Sequence, residues 1–245
     1  MEGLKLWLQK LWQQFYIAFI EKDRWKLLLK GLGNTMTVTF FAVLLGIALG
    51  ALLAVIRTAW DSNHNTMRRG PLKFGFGILN KLSQLYLTVI RGTPVVVQIM
   101  ILFFVIMASS NNKILVAVIA FGLNSAAYVA EIIRGGIQAI DVGQMEAARS
   151  LGFNYVQSMC FVILPQAMKN VLPALANEFI ALLKETAVAG YVGLMDLTRG
   201  ADIIRGATYQ SLFPLLAVAL VYLALVVIFT KLVGILERRL RSRGH

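Results

Sequence analysis

Five stretches of the chain are apolar over the thickness of a bilayer, and their apolar residues run continuously rather than alternating. About 20 mostly apolar residues cross a membrane as a helix. The pattern therefore predicts spans at 35–56, 87–108, 114–133, 173–194 and 212–233. Continuous runs favour a helical bundle over a barrel, so the fold class expected is an all-α membrane protein with five transmembrane helices. The first span is uncharged and contains Gly46 and Gly50 four residues apart, a small-residue face that lets helices approach closely. Ahead of it, Leu4, Leu8, Leu11, Phe15 and Phe19 share one face, with Trp7 and Trp12 beside them and Lys5, Gln9, Gln13 and Gln14 mostly elsewhere. That predicts an amphipathic helix lying at the membrane interface, too polar to span.

The polar segment between the third and fourth spans, VGQMEAARSLGFNYVQSMCFVILPQAMKN, predicts a helix, a turn and a second helix. Asp141 is placed to cap the first helix, with Gln144 completing a capping box. Gly152 stands where a left-handed terminating turn wants it. The second helix should run from Tyr155 toward Leu164, with Pro165 limiting it. A further polar stretch, 57–82, reads as a surface loop leading into an amphipathic elbow.

Composition supports the membrane reading. Of 245 residues, 58% are hydrophobic and 15% charged, and the mean hydropathy is +0.71; a soluble domain carries about 25% charged residues. The net charge of +12 suits loops facing anionic lipid rather than nucleic acid. Cys160 has no disulfide partner in the chain, and His64 and His245 lie apart in polar surroundings, so no metal site is expected. The first twenty residues lack an apolar core followed by a small-residue cleavage site, so no cleavable leader is expected. The basic tail favours a cytoplasmic C-terminus. Five spans then put 57–86 and 134–172 inside, and 109–113, 195–211 and the N-terminus outside. The basic N-terminal arm opposes this; a sixth span there would resolve the conflict, but Lys and Gln break its apolar run.

Polar groups inside spans are costly and usually mark a pathway. Asn124, Tyr128 and Glu131 form one stripe; Asn177, Ala181 and Lys184 form another, with Glu178 and Glu185 one position round. Arg91 and Gln98 share a face around Pro94, and Thr93 is placed to bond a carbonyl freed by the proline. Glu131, Glu178, Asn124 and Asn177 could accept from an ammonium; Lys184, Thr93 and Gln98 could donate to a carboxylate. Glu131 and Asn177 stand out as the strongest pathway candidates. The same residues could instead be structural pairs or snorkelling side chains.

Glu146-Ala147-Ala148, then Gly152, then Val162-x-Leu164-Pro165 resembles the EAA loop of ABC importer permeases, with Val162 where isoleucine is more usual. The blocks RGTPVVVQ, AEIIRGGIQAIDVGQMEAARSLG and VILPQAMKNVLPALANEFIALLKET resemble the polar amino acid permeases of histidine, glutamine and arginine uptake systems, over roughly residues 31–240. The resemblance implies a type I importer permease fold in a bacterial cytoplasmic (inner) membrane. It divides the chain into an arm (1–31), a permease domain (32–240, EAA loop about 141–168) and a basic cytoplasmic tail (241–245). It implies that Glu146, Ala147, Ala148, Gly152, Leu164 and Pro165 couple the chain to two separate ATPase subunits. It also implies a second permease subunit, identical or related, and an extracytoplasmic amino-acid-binding protein. The chain has no G-x-x-x-x-G-K-[ST], and GLGNTMT at 31–37 lacks the lysine, so ATP and Mg are expected on the partner. An ion-coupled secondary transporter is the alternative, although no internal repeat is evident. An intramembrane enzyme would need a catalytic constellation such as H-E-x-x-H, which the chain lacks.

Overall fold

The computed structural model describes residues 2–64 and 67–242; His245 and the end of the tail lie outside them. Helix α1 (Glu2–Phe15) has no buried residue. It leads into a π-helical turn, Tyr16–Ile20, that buries Ala18 and Phe19. Lys22 and Asp23 then adopt left-handed φ of 58° and 54°. Arg24 holds this elbow by donating to the Ile17 carbonyl and, at 3.2 Å, to the Glu21 carbonyl.

Helix α2 (Trp25–Asn63) is 39 residues long and extends past both ends of the expected 35–56 span. Nothing in 25–34 or 57–63 breaks a helix strongly. At 1.5 Å per residue it is nearly twice the length of the hydrocarbon core. Helix α3 (Pro71–Gly92) starts with proline in its first turn, where the missing N–H costs nothing. The loop expected over 57–82 is therefore corrected: most of it belongs to α2 and α3. Trp60 joins the two, stacking on His64 at 5.7 Å and meeting Phe76 edge-on at 5.5 Å.

The second span is also corrected. It is not one rod over 87–108 but α3 followed by α4 (Val95–Ile101) and a π-helical turn, Leu102–Ile106. The chain bends by 110° between the halves. Pro94 has no N–H to continue the ladder and drives the residue before it out of helix; Thr93 sits at φ −122°, ψ 147°. Among the described residues, four other helices or helical runs are long and apolar enough to cross a membrane, and the bent pair makes up to five spans.

Helix α5 (Lys113–Gln138) is capped by Asn112, which accepts from the Leu115 amide at 3.0 Å. Helices α6 (Val142–Ser150) and α7 (Tyr155–Ser158) follow. Helix α8 is Leu164–Glu185. Pro165 does not end the second helix as expected. A π-helical turn, Met159–Ile163, widens the backbone ahead of the proline, which sits in the first turn of α8; Tyr155–Val192 is one candidate span. A 3₁₀ stretch (Thr186–Val192), α9 (Leu197–Thr208) and α10 (Leu212–Ser242) complete the described residues.

Helices α2 and α5 make the largest contact, through the Gly46 and Gly50 face. A β-carbon on Gly50 would lie 2.7 Å from the Val129 side chain and 2.8 Å from the Ala126 carbonyl oxygen. Beside them Val38, Ala42, Ile99, Phe121 and Leu182 join α2, α4, α5 and α8 in one core. Leu52, Val55, Leu85, Val105 and Leu223 point outward and exposed, as lipid-facing residues must. We expect Gly50→Ala to destabilise the chain by about 1–3 kcal/mol, since the neighbouring carbonyl is backbone and cannot swing aside. Gly33, with open space around it, is the control. Gly33→Ala should be neutral or stabilising, and thermal unfolding in detergent compares the two.

Candidate functional site

Two sets of residues single themselves out at different heights of the bundle. The first is the α6–α7 segment. Asp141 caps α6 as expected, but its Oδ1 accepts from the Gly143 amide at 2.7 Å. Gln144 does not complete a capping box; its side-chain oxygen accepts from Gln166 Nε2 at 3.1 Å and ties α6 to α8. The capping box instead opens α7. Asn154 accepts from the Gln157 amide and Gln157 accepts from the Asn154 amide, both at 2.9 Å. Gly152 takes φ +87°. Its amide donates to the Arg149 carbonyl at 3.0 Å, and the Phe153 amide to the Ala148 carbonyl at 3.2 Å, the paired bonds that close a helix through a left-handed residue.

Within this motif Glu146 and Ala147 are exposed, whereas Ala148 is buried inside the chain. Leu164 is half-buried and Pro165 exposed. Val142, Leu151, Val156 and Phe161 are all at least 65% exposed, apolar side chains in and around this motif that the sequence reading missed. Their signal was there: large apolar residues flanking a polar helix outside any span.

The second set surrounds the break between α3 and α4. The Thr93 hydroxyl donates to the Val89 carbonyl at 2.8 Å, the role expected of it. Gln98 Nε2 faces the Ile90 carbonyl at 2.7 Å and the Thr93 hydroxyl at 2.8 Å, so the amide satisfies backbone that the proline left open. The Gln98 oxygen accepts from Asn124 Nδ2 at 2.9 Å, which fastens the break to α5. Next to Asn124, Ser125 is fully buried and donates to Glu178 Oε1 on α8 at 2.8 Å. Thr93, Gln98, Asn124 and Glu178 thus share one polar zone. Sequence reading missed Ser125 because a lone hydroxyl in a helix is common.

The other candidates lie elsewhere. Glu131, two turns of α5 from Asn124, sits 4.0 Å from Arg91 and 3.9 Å from Arg134, which reaches Asp61 at 3.1 Å. Arg91 also lies over the Tyr128 ring at 5.7 Å. Asn177 lines a cleft of about 560 Å³ with Lys169, Asn170 and Glu237. Lys184 is exposed on the same side of α8. Among the described residues no group of three His, Cys, Asp or Glu is placed to hold a metal ion.

Comparison with known proteins places this arrangement. The family model for the binding-protein-dependent transport system inner membrane component matches residues 73–242. The arginine transport system permease protein ArtQ of Bacillus subtilis (strain 168) is 39% identical over 218 residues, which is 88% of this chain and 93% of the relative. A crystal structure of an amino acid ABC transporter with histidines is 40% identical, with a TM-score of 0.78 over 90% of this chain and 98% of its own. The MetNI methionine ABC transporter, inward facing, shares the fold at 21% identity and a TM-score of 0.67, over 89% and 97%. The chain therefore belongs to the family of inner-membrane permease components of binding-protein-dependent ABC transport systems, and is a transport component rather than an enzyme.

Proposed function

We propose that this chain forms half of the membrane pathway of an ATP-driven importer for polar amino acids, and that the zone around Glu178 and the α3–α4 break receives the substrate. The observation that carries this reading is a half-buried carboxylate, Glu178, bonded to the residue that adjoins an amide network where α4, α5 and α8 pack together. Glu178 faces Ser125 at 2.8 Å, and Asn124 faces Gln98 at 2.9 Å. A half-buried acid with no basic partner among the described residues suits an ammonium group, and the amides and Thr93 suit a carboxylate or polar side chain. The likeness to an arginine permease and to a transporter described with histidines supports the substrate class. The α6–α7 segment would dock on the ATPase through its exposed apolar side chains and Glu146. Two ATPase subunits carrying ATP and Mg, a second permease subunit and an extracytoplasmic binding protein complete the system.

In this reading the α6 end is cytoplasmic. Arg68, Arg69, Lys73, Arg134, Arg149, Lys169, Arg238 and Arg239 belong to that end, as the positive-inside rule requires. The N-terminal arm lies at the other end, and part of its charge is neutralised locally. Arg24 pairs with Glu21 at 3.2 Å and Lys26 with Asp23 at 2.6 Å.

Purification from native membranes in mild detergent, followed by reconstitution, tests the proposal. The expected result is co-purification of a subunit bearing a P-loop, and amino acid uptake that requires ATP and a binding protein. Uptake by the chain alone down an ion gradient would overturn it and favour a secondary transporter.

A further inference from the structure

The end of the bundle away from α6 holds a polar cluster that the transport reading does not use. Asp196 is fully buried at the start of α9. Its Oδ1 accepts from the Arg199 amide at 2.9 Å; its Oδ2 is buried and takes no hydrogen bond. The hydroxyl of Tyr222, on α10, is likewise buried without a hydrogen-bond partner. It faces the hydroxyls of Thr35, Thr186 and Thr198 and the field of Asp196, and Thr198 also lies beside the Asp196 carboxyl. Thr35 and Thr186 are themselves buried.

Counting donors and acceptors shows what the cluster lacks. Thr186 spends its proton on the Leu183 carbonyl at 2.8 Å, so it offers the cluster only lone pairs. Thr35 Oγ accepts from the Leu197 amide at 3.1 Å. Asp196 Oδ2 can only accept when ionised. Tyr222, Thr35 and Thr198 each keep a hydroxyl proton and a lone pair, and Asp196 brings the one formal negative charge. The amide end of α9 serves Oδ1, no ion pair reaches Asp196 among the described residues, and Arg199 is exposed. Burial pushes the Asp196 carboxyl above the usual carboxylate range, opposed in part by the amides of Arg199 and Thr198. A buried charge of this kind is retained when something offsets it.

We propose that Asp196 Oδ2, the Tyr222 hydroxyl and the hydroxyls of Thr35, Thr186 and Thr198 bind a small hard monovalent cation, sodium being the natural candidate. All donors are oxygen, which suits hard cations rather than zinc or copper. A single carboxylate balances one positive charge, whereas a divalent ion would leave a net charge buried. The donors come from α2, the Thr186–Val192 stretch, the start of α9 and α10. Occupancy therefore stabilises the arrangement in which α9 is seated on α2 and α10, whatever substrate the pathway carries.

The test is thermal unfolding of the purified complex in sodium chloride and in N-methyl-D-glucamine chloride at equal ionic strength. We expect sodium to raise the Tm saturably, by roughly 3 °C when well above its Kd. Asp196→Asn keeps a good helix cap but removes the charge, and should abolish the rise. Tyr222→Phe should weaken the sodium dependence several-fold; Thr198→Val does the same and serves should Asp196→Asn fail to assemble. Equal stability in both salts would overturn the proposal and assign the cluster to water. A stability that ignores sodium and falls as pH rises would overturn it in favour of a proton. A carboxyl raised on folding binds its proton more tightly in the native state, so its contribution fades as pH climbs through the folded value. A sodium shift preserved in Asp196→Asn would overturn it as well.

Discussion

Replacing Gly152 by proline should abolish coupled uptake while leaving the chain in the membrane. Gly152 holds φ +87°, and proline is confined near −65°. Its amide also donates to Arg149, and proline has no N–H to give. The substitution therefore removes both the left-handed turn and one of its two closing bonds, and α7 must leave α6 at a different angle. Nothing lies within 4 Å of the position where a β-carbon would stand, so the harm arises from backbone geometry and not from a clash. Gly152→Ala separates the two effects: it keeps the N–H and carries only the left-handed strain of about 1–2 kcal/mol. We expect uptake to fall more than about tenfold in Gly152→Pro, one decade corresponding to roughly 1.4 kcal/mol. Gly152→Ala should be intermediate. ATP hydrolysis by the complex should persist, no longer stimulated by loaded binding protein. Glu146→Lys, which reverses an exposed charge on α6, should uncouple in the same direction. Normal uptake by Gly152→Pro would show that the α6–α7 angle does not transmit force.

The helix–turn–helix was legible because its signals are local. A capping aspartate, a run of helix formers and a glycine act through bonds three to five residues long. The apolar spans and the close-packing Gly46–Gly50 face were legible for a similar reason, since one helix's own periodicity determines which side is narrow. Context decided the rest. Pro94 and Pro165 carry the same intrinsic restriction, yet one breaks a span and the other does not. At Pro94 the break is secured by Gln98, which bonds the Ile90 carbonyl from eight residues away, and by Asn124 on another helix. At Pro165 a π-helical turn just upstream absorbs the missing bond. Neither partner can be inferred from the residues beside the proline. The stripe of Asn124, Tyr128 and Glu131 does lie on one helix, α5, but its two ends meet different partners. Two turns of helix are about 10 Å, and at that distance Glu131 meets Arg91 and Arg134 while Asn124 meets Gln98. Ser125, one residue off the stripe, is the one that reaches Glu178.

That separation makes the proposed substrate zone testable by comparing two acids. Glu178→Gln preserves size, and its side-chain oxygen can still accept from Ser125, so the fold should tolerate it. What it removes is the negative charge. If that charge faces an ammonium group during passage, its loss should weaken a charge-assisted interaction of about 1.5–3 kcal/mol. That corresponds to a fall of roughly 10–160-fold in the uptake rate per loaded binding protein. Asn124→Ala acts differently: it frees the Gln98 oxygen and loosens the α3–α4 break from α5, so both uptake and thermal stability should drop. Glu131→Gln removes a charge from contacts of 3.9–4.0 Å, which are longer than good hydrogen bonds and half-exposed, and exposed pairs of that kind contribute little. We expect it to alter uptake less than about threefold. Initial uptake rates in proteoliposomes, with Tm as the control for folding, distinguish the three variants. Wild-type transport by Glu178→Gln together with loss in Glu131→Gln would move the pathway to the ionic cluster at the α6 end of α5. It would leave the Glu178–Ser125 bond as a tie between α5 and α8.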